Sequence, residues 1–262
     1  MGYTFISGAT GGLGKAFAYA SAKNGYNLFL TARSFDRLNA LKGEICEKYP
    51  EIKVEVCPCE LTDDDSRKNL IEFAKEKNLK FDRIINVAGV DIQKAFTDFS
   101  YEKVLFQTRV NCESTALLTR ALLDLREKNA EIIVISSMSG VSPMPYFAIY
   151  SASKAFLTSL FTALHYELKK QGVKVTSVLP GGIPTRPDTV KAIDDQGVWG
   201  KLSSKSPEFV AEKSLKAVKK NKLIYVPGFF NKILYGLMKI IPKRFMLRFI
   251  AARWSKLSKD AF

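Results

Sequence analysis

Tyr150 and Lys154 stand four residues apart in Tyr150-Ser151-Ala152-Ser153-Lys154, which puts a phenol and an ammonium on one face of a helix. The pair suits proton exchange with an alcohol or a ketone. A phenol has a reference pKa of about 10, and bringing it to ~7 takes roughly 4 kcal/mol of preferential phenolate stabilisation. A neighbouring ammonium is one source of that stabilisation. Spacing alone does not single out this pair, because Tyr-x-x-x-Lys occurs five times, at Tyr19/Lys23, Tyr49/Lys53, Tyr150/Lys154, Tyr166/Lys170 and Tyr235/Lys239. The surroundings do. Only Tyr150 follows an apolar strand-like run, a Ser-Ser pair and a proline-containing loop, with Ser137 thirteen residues upstream. Tyr166 lies about 160° round the same helix. Tyr19 sits in the first helix, Tyr49 precedes Pro50, and Tyr235 belongs to the C-terminal tail.

A second constellation lies near the N-terminus. The run Ser7-Gly8-Ala9-Thr10-Gly11-Gly12-Leu13-Gly14 follows a strand-like segment and opens into a helix. Glycines at 8, 12 and 14 allow a tight turn and a close backbone approach to a pyrophosphate, which the N–H groups of the helix N-terminus then hold. The next strand-like segment, Asn27–Thr31, leads to Arg33, where an acidic residue would have met the ribose hydroxyls. A guanidinium there complements a 2′-phosphate, so NADP(H) is favoured over NAD(H).

Both constellations need a scaffold that gathers strand ends. Short apolar segments near 3–7, 27–31, 52–57, 83–87, 131–136, 173–179 and 222–226 alternate with helical patterns. The helical patterns fall near 12–24, 34–48, 63–77, 100–128 (broken), 149–170 and 207–220. This alternation predicts an α/β fold, a single doubly wound parallel sheet over residues 1–226. Residues 181–206, rich in Gly, Pro, Ser and Asp, form the expected substrate loop, and residues 227–262 a basic amphipathic helical tail.

The chain of 262 residues carries 40 Lys and Arg against 26 Asp and Glu, a net charge of +14. Residues 201–262 hold 15 of the basic and 3 of the acidic side chains, so the excess belongs to the last quarter. No recognition module accompanies it, which argues against nucleic acid. Cys46, Cys57, Cys59 and Cys112 are too few and too scattered for a disulfide framework, and with one histidine in the chain a metal site is implausible. The cysteines are expected reduced, in a cytoplasmic protein without a secretory signal or a spanning helix. The single histidine, His165, is expected to pack rather than react.

The ordered motifs together resemble the short-chain dehydrogenase/reductase family, over roughly residues 3–226. Ser7–Gly14 resembles its Thr-Gly-x-x-x-Gly-x-Gly turn, with Ser7 in place of threonine, and Asn86-Val87-Ala88-Gly89 resembles its Asn-x-Ala-Gly segment. Asn111 matches its helix asparagine, and Ser137, Tyr150 and Lys154 its remaining catalytic members in order and spacing. Pro180-Gly181-Gly182-Ile183-Pro184-Thr185 resembles the segment that holds the nicotinamide carboxamide. Glu60-Leu61 stands where the family carries Asp-Leu or Asp-Val against adenine. The resemblance implies a Rossmann fold and a cofactor site built from Ser7, Gly8, Thr10, Gly12, Leu13, Gly14, Arg33, Glu60, Leu61, Asn86, Ala88, Gly89, Tyr150, Lys154, Pro180, Gly181, Ile183 and Thr185. It further implies that Tyr150 protonates a carbonyl oxygen held by Ser137, that Lys154 binds the nicotinamide ribose and lowers the phenol, and that Asn111 completes a proton relay through water. A homodimer or homotetramer is expected.

Val141, Met144 and Trp199, with Ser137 and Tyr150, are the expected substrate contacts. Their apolar character suits a lipophilic ketone or alcohol, as in a hydroxysteroid dehydrogenase or carbonyl reductase. A 3-oxoacyl-thioester reductase is the alternative reaction, and a non-catalytic, nucleotide-sensing membrane scaffold the alternative class. In the tail, Phe245, Met246, Phe249, Ile250, Trp254 and Leu257 recur at helical spacing, with Arg244, Arg248, Ser255, Lys256 and Lys259 largely off that stripe. Such a helix lies in an anionic membrane surface, covers the substrate pocket or packs in a homodimer; the pattern leaves these open.

Overall fold

The computed structural model describes residues 2–254. Seven parallel strands form one sheet in the order β3-β2-β1-β4-β5-β6-β7. They are β1 (Tyr3–Ser7), β2 (Asn27–Ala32), β3 (Val54–Pro58), β4 (Phe81–Asn86), β5 (Arg126–Ile135), β6 (Lys174–Val178) and β7 (Ile224–Tyr225). The strand order reverses between β1 and β4, and the crevice outside their carboxyl ends is where a doubly wound sheet takes its ligand.

Helices cover both faces, and successive strand residues divide between them. Phe5, Phe29 and Phe81 point to one face, where Phe5 lies 5.8 Å from Phe29 and 6.3 Å from Phe81 between ring centroids. Leu118, Phe161 and Leu157 pack over them from α5 (Ser114–Leu123) and α6 (Ala148–Glu167). Ile6, Leu28 and Leu30 point to the other face, under α1 (Gly12–Lys23), α2 (Phe35–Lys48) and α9 (Pro207–Lys219). Side-chain caps fix several helix starts: Ser34 accepts from the Arg37 N–H, Asp63 from Ser66 at α3 (Asp64–Glu76), and Ser206 from Phe209. His165 is buried, its Nδ1 2.7 Å from the Val175 carbonyl, which accounts for it as a packing residue.

Three expectations about the elements need correcting. The helical pattern over 100–128 ends earlier: α4 (Tyr101–Thr108) passes through a π-helical segment, Arg109–Glu113, into α5, and residue 126 already belongs to β5. Charged Arg126–Lys128 read as helix surface, yet Arg126 pairs with Phe81 at the exposed strand entrance, and Asn129 breaks the run at φ 68°. The stretch 181–206 is not irregular; it holds α7 (Pro187–Asp195) and α8 (Gly197–Ser203). The tail is two helices, α10 (Phe229–Ile240) and α11 (Lys243–Trp254), separated at Pro242. Its expected apolar stripe divides: Met246, Ile250 and Trp254 turn inward, whereas Phe245 and Phe249 are exposed beside Arg244 and Arg248. Ser255, Lys256, Leu257 and Lys259 lie outside the described residues.

Candidate active site

A cavity of about 1490 Å³ opens at the carboxyl ends of β1, β4, β5 and β6. Sites for a single small ligand run to roughly 300–1,000 Å³, so this one has room for a dinucleotide and a second molecule. Strand ends and the helix after β5 bring the reacting groups to its inner wall.

Ser136 and Ser137 divide the work of joining β5 to α6. The Ser136 hydroxyl donates to the Lys154 carbonyl at 2.7 Å, and the Lys154 ammonium donates to the Ile135 carbonyl at 2.9 Å. Ser137 instead lines the cavity together with Tyr150, its hydroxyl accepting from the Ser139 N–H at 3.0 Å. The Lys154 Nζ lies 5.5 Å from the Tyr150 ring centroid. The Phe147 ring stacks on that of Tyr150 with centroids 4.4 Å apart.

Burial sets the ionisation of both groups. It pushes the Tyr150 phenol above its ordinary value, helped by the Asp91 carboxylate and opposed by the Ser137 hydrogen bond and the Arg186 charge. The same burial brings Lys154 down to about 8, with Asp91 opposing. A lowered phenol was expected from the neighbouring ammonium; in the protein alone, desolvation of the phenolate is the larger effect. Tyr150 is thus neutral at neutral pH, beside a lysine close to its own titration point.

Asn111 sits in the π-helical segment, buried and off the cavity wall. Its amide donates to the Val90 carbonyl and to the Ser153 hydroxyl, both at 2.9 Å, and its carbonyl accepts from the Val90 N–H at 2.8 Å. A side chain at Gly89 would fall 3.1 Å from the Lys154 Nζ and 3.5 Å from the Asn111 Oδ1, so these three groups are neighbours.

The glycine turn fits a pyrophosphate. Gly8 adopts φ +65° with a Cβ position 3.0 Å from Ala88, and a side chain at Gly14 would collide with the Gly8 carbonyl. The first turn of α1 has no side-chain cap and no acidic residue, leaving its N–H groups directed at the cavity. Gly8, Thr10, Gly12, Leu13 and Gly14 line the cavity, as do Arg33, Glu60, Leu61, Ala88, Gly89, Pro180, Gly181, Ile183 and Thr185. Ser7 and Asn86 stand behind that wall. The Ser7 hydroxyl accepts from the N–H groups of Val87 and Ala88 at 3.1 and 3.2 Å, and the Asn86 amide donates to Thr119 at 2.9 Å. Glu60 turns back on its own loop, accepting from the Thr62 hydroxyl at 2.9 Å.

Of the expected substrate contacts, Ser137, Tyr150 and Met144 line the cavity. Val141 lines a neighbouring recess of about 360 Å³, which meets the main cavity at Met238. Trp199 points elsewhere: it is 60% exposed and its ring packs 5.4 Å from that of Phe230. Sequence reasoning missed Arg37, on the cavity wall beside Arg33 and donating to the Thr10 carbonyl at 3.1 Å. Its place in the first turn of the helix after Arg33 was the available signal. For the tail, one of the three readings left open, that it covers the pocket, matches its inner face. Leu234, Met238 and Trp254 line the cavity, and Trp254 stacks on Phe147 with centroids 5.6 Å apart.

The comparisons with known proteins agree with this geometry. The short chain dehydrogenase family matches residues 3–195. A very-long-chain 3-oxoacyl-CoA reductase-like protein of Arabidopsis thaliana is 31% identical over 207 residues, 75% of this chain and 65% of that protein. A very-long-chain 3-oxoacyl-CoA reductase of Bos taurus is 30% identical over 225 residues, 82% of this chain and 68% of that one. The chain therefore spans about two thirds of the length of these relatives. A 7beta-hydroxysteroid dehydrogenase structure superposes with a TM-score of 0.83 at 25% identity, covering 95% of this chain and 96% of that one. The seven-stranded parallel sheet and the uncapped glycine turn at its strand ends accord with that match, and the chain belongs to the short chain dehydrogenase family.

Proposed function

We propose that this protein uses NADPH to reduce a ketone on a lipophilic substrate to a secondary alcohol, with long-chain 3-oxoacyl thioesters as the foremost substrate class. The observation that carries the reading is the Ser137–Tyr150–Lys154 cluster set at the inner end of a cavity walled by Met144, Phe147, Leu234, Met238 and Trp254. Apolar walls around one hydroxyl pair recognise an oxygen at the end of a hydrocarbon surface. The names of the Arabidopsis and Bos taurus relatives favour the thioester. The superposition on a hydroxysteroid dehydrogenase favours a steroid as the second reading.

Ser137 and Tyr150 together hold the substrate's carbonyl oxygen, and Tyr150 gives it the proton that completes the alcohol. Lys154, charged below about pH 8, stabilises the phenolate left behind and reaches the ribose side of the cofactor site. Asn111 holds the loop at Val90 and connects Ser153 to it, keeping α6 in register with the cavity floor. The bound nicotinamide supplies the hydride; the protein supplies orientation, a proton and exclusion of water. Arg33 and Arg37, both on the cavity wall where Asp36 is not, support a 2′-phosphate and hence NADPH. The exposed Tyr101 and Leu105 of α4 and Leu117 of α5 support association with a second copy of the chain.

NADPH oxidation measured against 3-oxoacyl-CoA esters of increasing chain length and a set of ketosteroids tests the reading. Turnover that rises with acyl length is the expected result. Activity confined to steroids selects the second reading, and none with either class removes both.

A further inference from the structure

We propose that the outer face of α10 and α11 docks on an anionic lipid bilayer. The inference goes beyond the reaction, and its readout is independent of turnover. The two helices have two faces. One, with Leu234, Met238 and Trp254, lines the cavity, and Asn231 anchors it by donating to the carbonyls of Ser203 and Pro227, both at 2.8 Å. The other faces solvent and is strongly apolar. On α10, Phe229, Ile233, Leu237 and Ile240 fall within about 80° of one another at 100° per residue, and Phe229 and Ile240 are 78% and 81% exposed. On α11, Phe245 and Phe249 are 66% and 68% exposed, interleaved with exposed Arg244 and Arg248.

Charge complementarity names the occupant. No Asp or Glu stands between Glu212 and Asp260, while Lys232, Lys239, Lys243, Arg244 and Arg248 border the apolar side chains. A surface of one sign with protruding rings is complementary to anionic headgroups over a hydrocarbon layer. The rings stand singly rather than lining a groove, so a fluid interface receives them without a matching shape. Within the described residues each helix has 12 residues, short of the ~20 needed to span, and no helix there is long and apolar enough to cross a membrane. The helices therefore lie along the surface. Their inner face then opens the cavity next to the bilayer, where a lipophilic substrate resides.

The test is flotation of the full chain with vesicles of phosphatidylcholine and phosphatidylserine in equal parts, and of phosphatidylcholine alone. The variants are Phe245→Ser/Phe249→Ser and Arg244→Glu/Arg248→Glu, all at exposed positions, with circular dichroism confirming the fold. The full chain is expected to float with the anionic vesicles and at least about tenfold less with the neutral ones. Each double variant is expected to lose about tenfold or more. No flotation, equal flotation on both vesicles, or variants that float like the parent chain would overturn the proposal. So would a concentration-dependent dimer that the Phe variant dissociates in the absence of any flotation, because the face then belongs to a second copy.

Discussion

Tyr150 and Lys154 show how one environment sets two ionisations in opposite senses. Burial keeps the phenol protonated and presses the lysine towards neutrality, to about 8. In reduction, kcat/KM is therefore expected to fall as the pH rises through about 8, when Lys154 loses the charge that supports the phenolate. Tyr150→Phe is expected to lose about 10²–10⁴-fold in kcat while retaining NADPH affinity in a fluorescence titration; near-parental turnover would remove Tyr150 from the chemistry. The lysine also has a stability consequence. Its folded pKa lies below the unfolded 10.5, so at pH 7 the unfolded chain holds the proton more tightly, and stability rises with pH between about 8 and 10.5. Lys154→Met is expected to gain up to about 3 kcal/mol at pH 7, less what the orphaned Ile135 carbonyl costs, with the gain gone by pH 10.5. Urea unfolding at the two pH values reads this, and the same variant is expected to be inactive. At the other end of the cavity, Arg33→Ala or Arg37→Ala is expected to lower the NADPH-to-NADH ratio of kcat/KM by about tenfold, the scale of one charge-assisted hydrogen bond. An unchanged ratio in both would leave the 2′-phosphate without a partner.

Among the elements, those whose residues answer to a local rule were readable in advance. Strands buried on both faces announce themselves as apolar runs, and Tyr150 stood out from four other tyrosines by what precedes it. Elements decided by distant contacts were not. The helices α7 and α8 arise in a segment whose Gly and Pro content read as loop; Pro187 starts α7 locally, and a distant contact holds that start in place. Arg186, at the start of α7, donates to Asp91 on the loop after β4 at 2.7 Å, with the side chains 40% and 32% exposed. Nothing in the local pattern links two residues 95 positions apart. Both line the cavity, so this ion pair ties the start of α7 to the loop after β4. A half-exposed pair contributes at most about 1 kcal/mol, which is enough to shift a lid equilibrium by a few-fold. Asp91→Asn is expected to raise KM for NADPH by that factor and to hasten proteolysis within residues 187–203. Because Asp91 holds the Lys154 pKa up, the same variant is expected to move the alkaline limb of kcat/KM to lower pH. A limb that stays in place would show that Asp91 acts on the lid alone.

At the scale of the whole molecule, the charge segregation marks the one part of the chain that serves both interior and surface. Pattern alone left the tail to choose among covering the pocket, packing in a homodimer and meeting a membrane, because a single amphipathic stripe has one apolar face. The structure divides that stripe. Met246, Ile250 and Trp254 face the catalytic body, and the exposed rings face away, so one helix pair can close the cavity without using up its outer face. The inner contact reaches the chemistry directly. Trp254 stacks on Phe147 and Phe147 on Tyr150, at 5.6 and 4.4 Å between centroids with interplanar angles of 20° and 26°. Removing the indole therefore takes away an apolar wall and one side of the stack that orients the phenol. If the tail belongs to the substrate site, Trp254→Ala is expected to raise KM for a long-chain or polycyclic ketone by about tenfold, the burial of one aromatic ring, and to leave KM for a short ketone unchanged. The NADPH affinity, set at the far end by the glycine turn, should not move. Steady-state kinetics with one long and one short ketone decide it: equal losses on both would mean that the indole only steadies Tyr150, and no loss on either would detach the tail from the site.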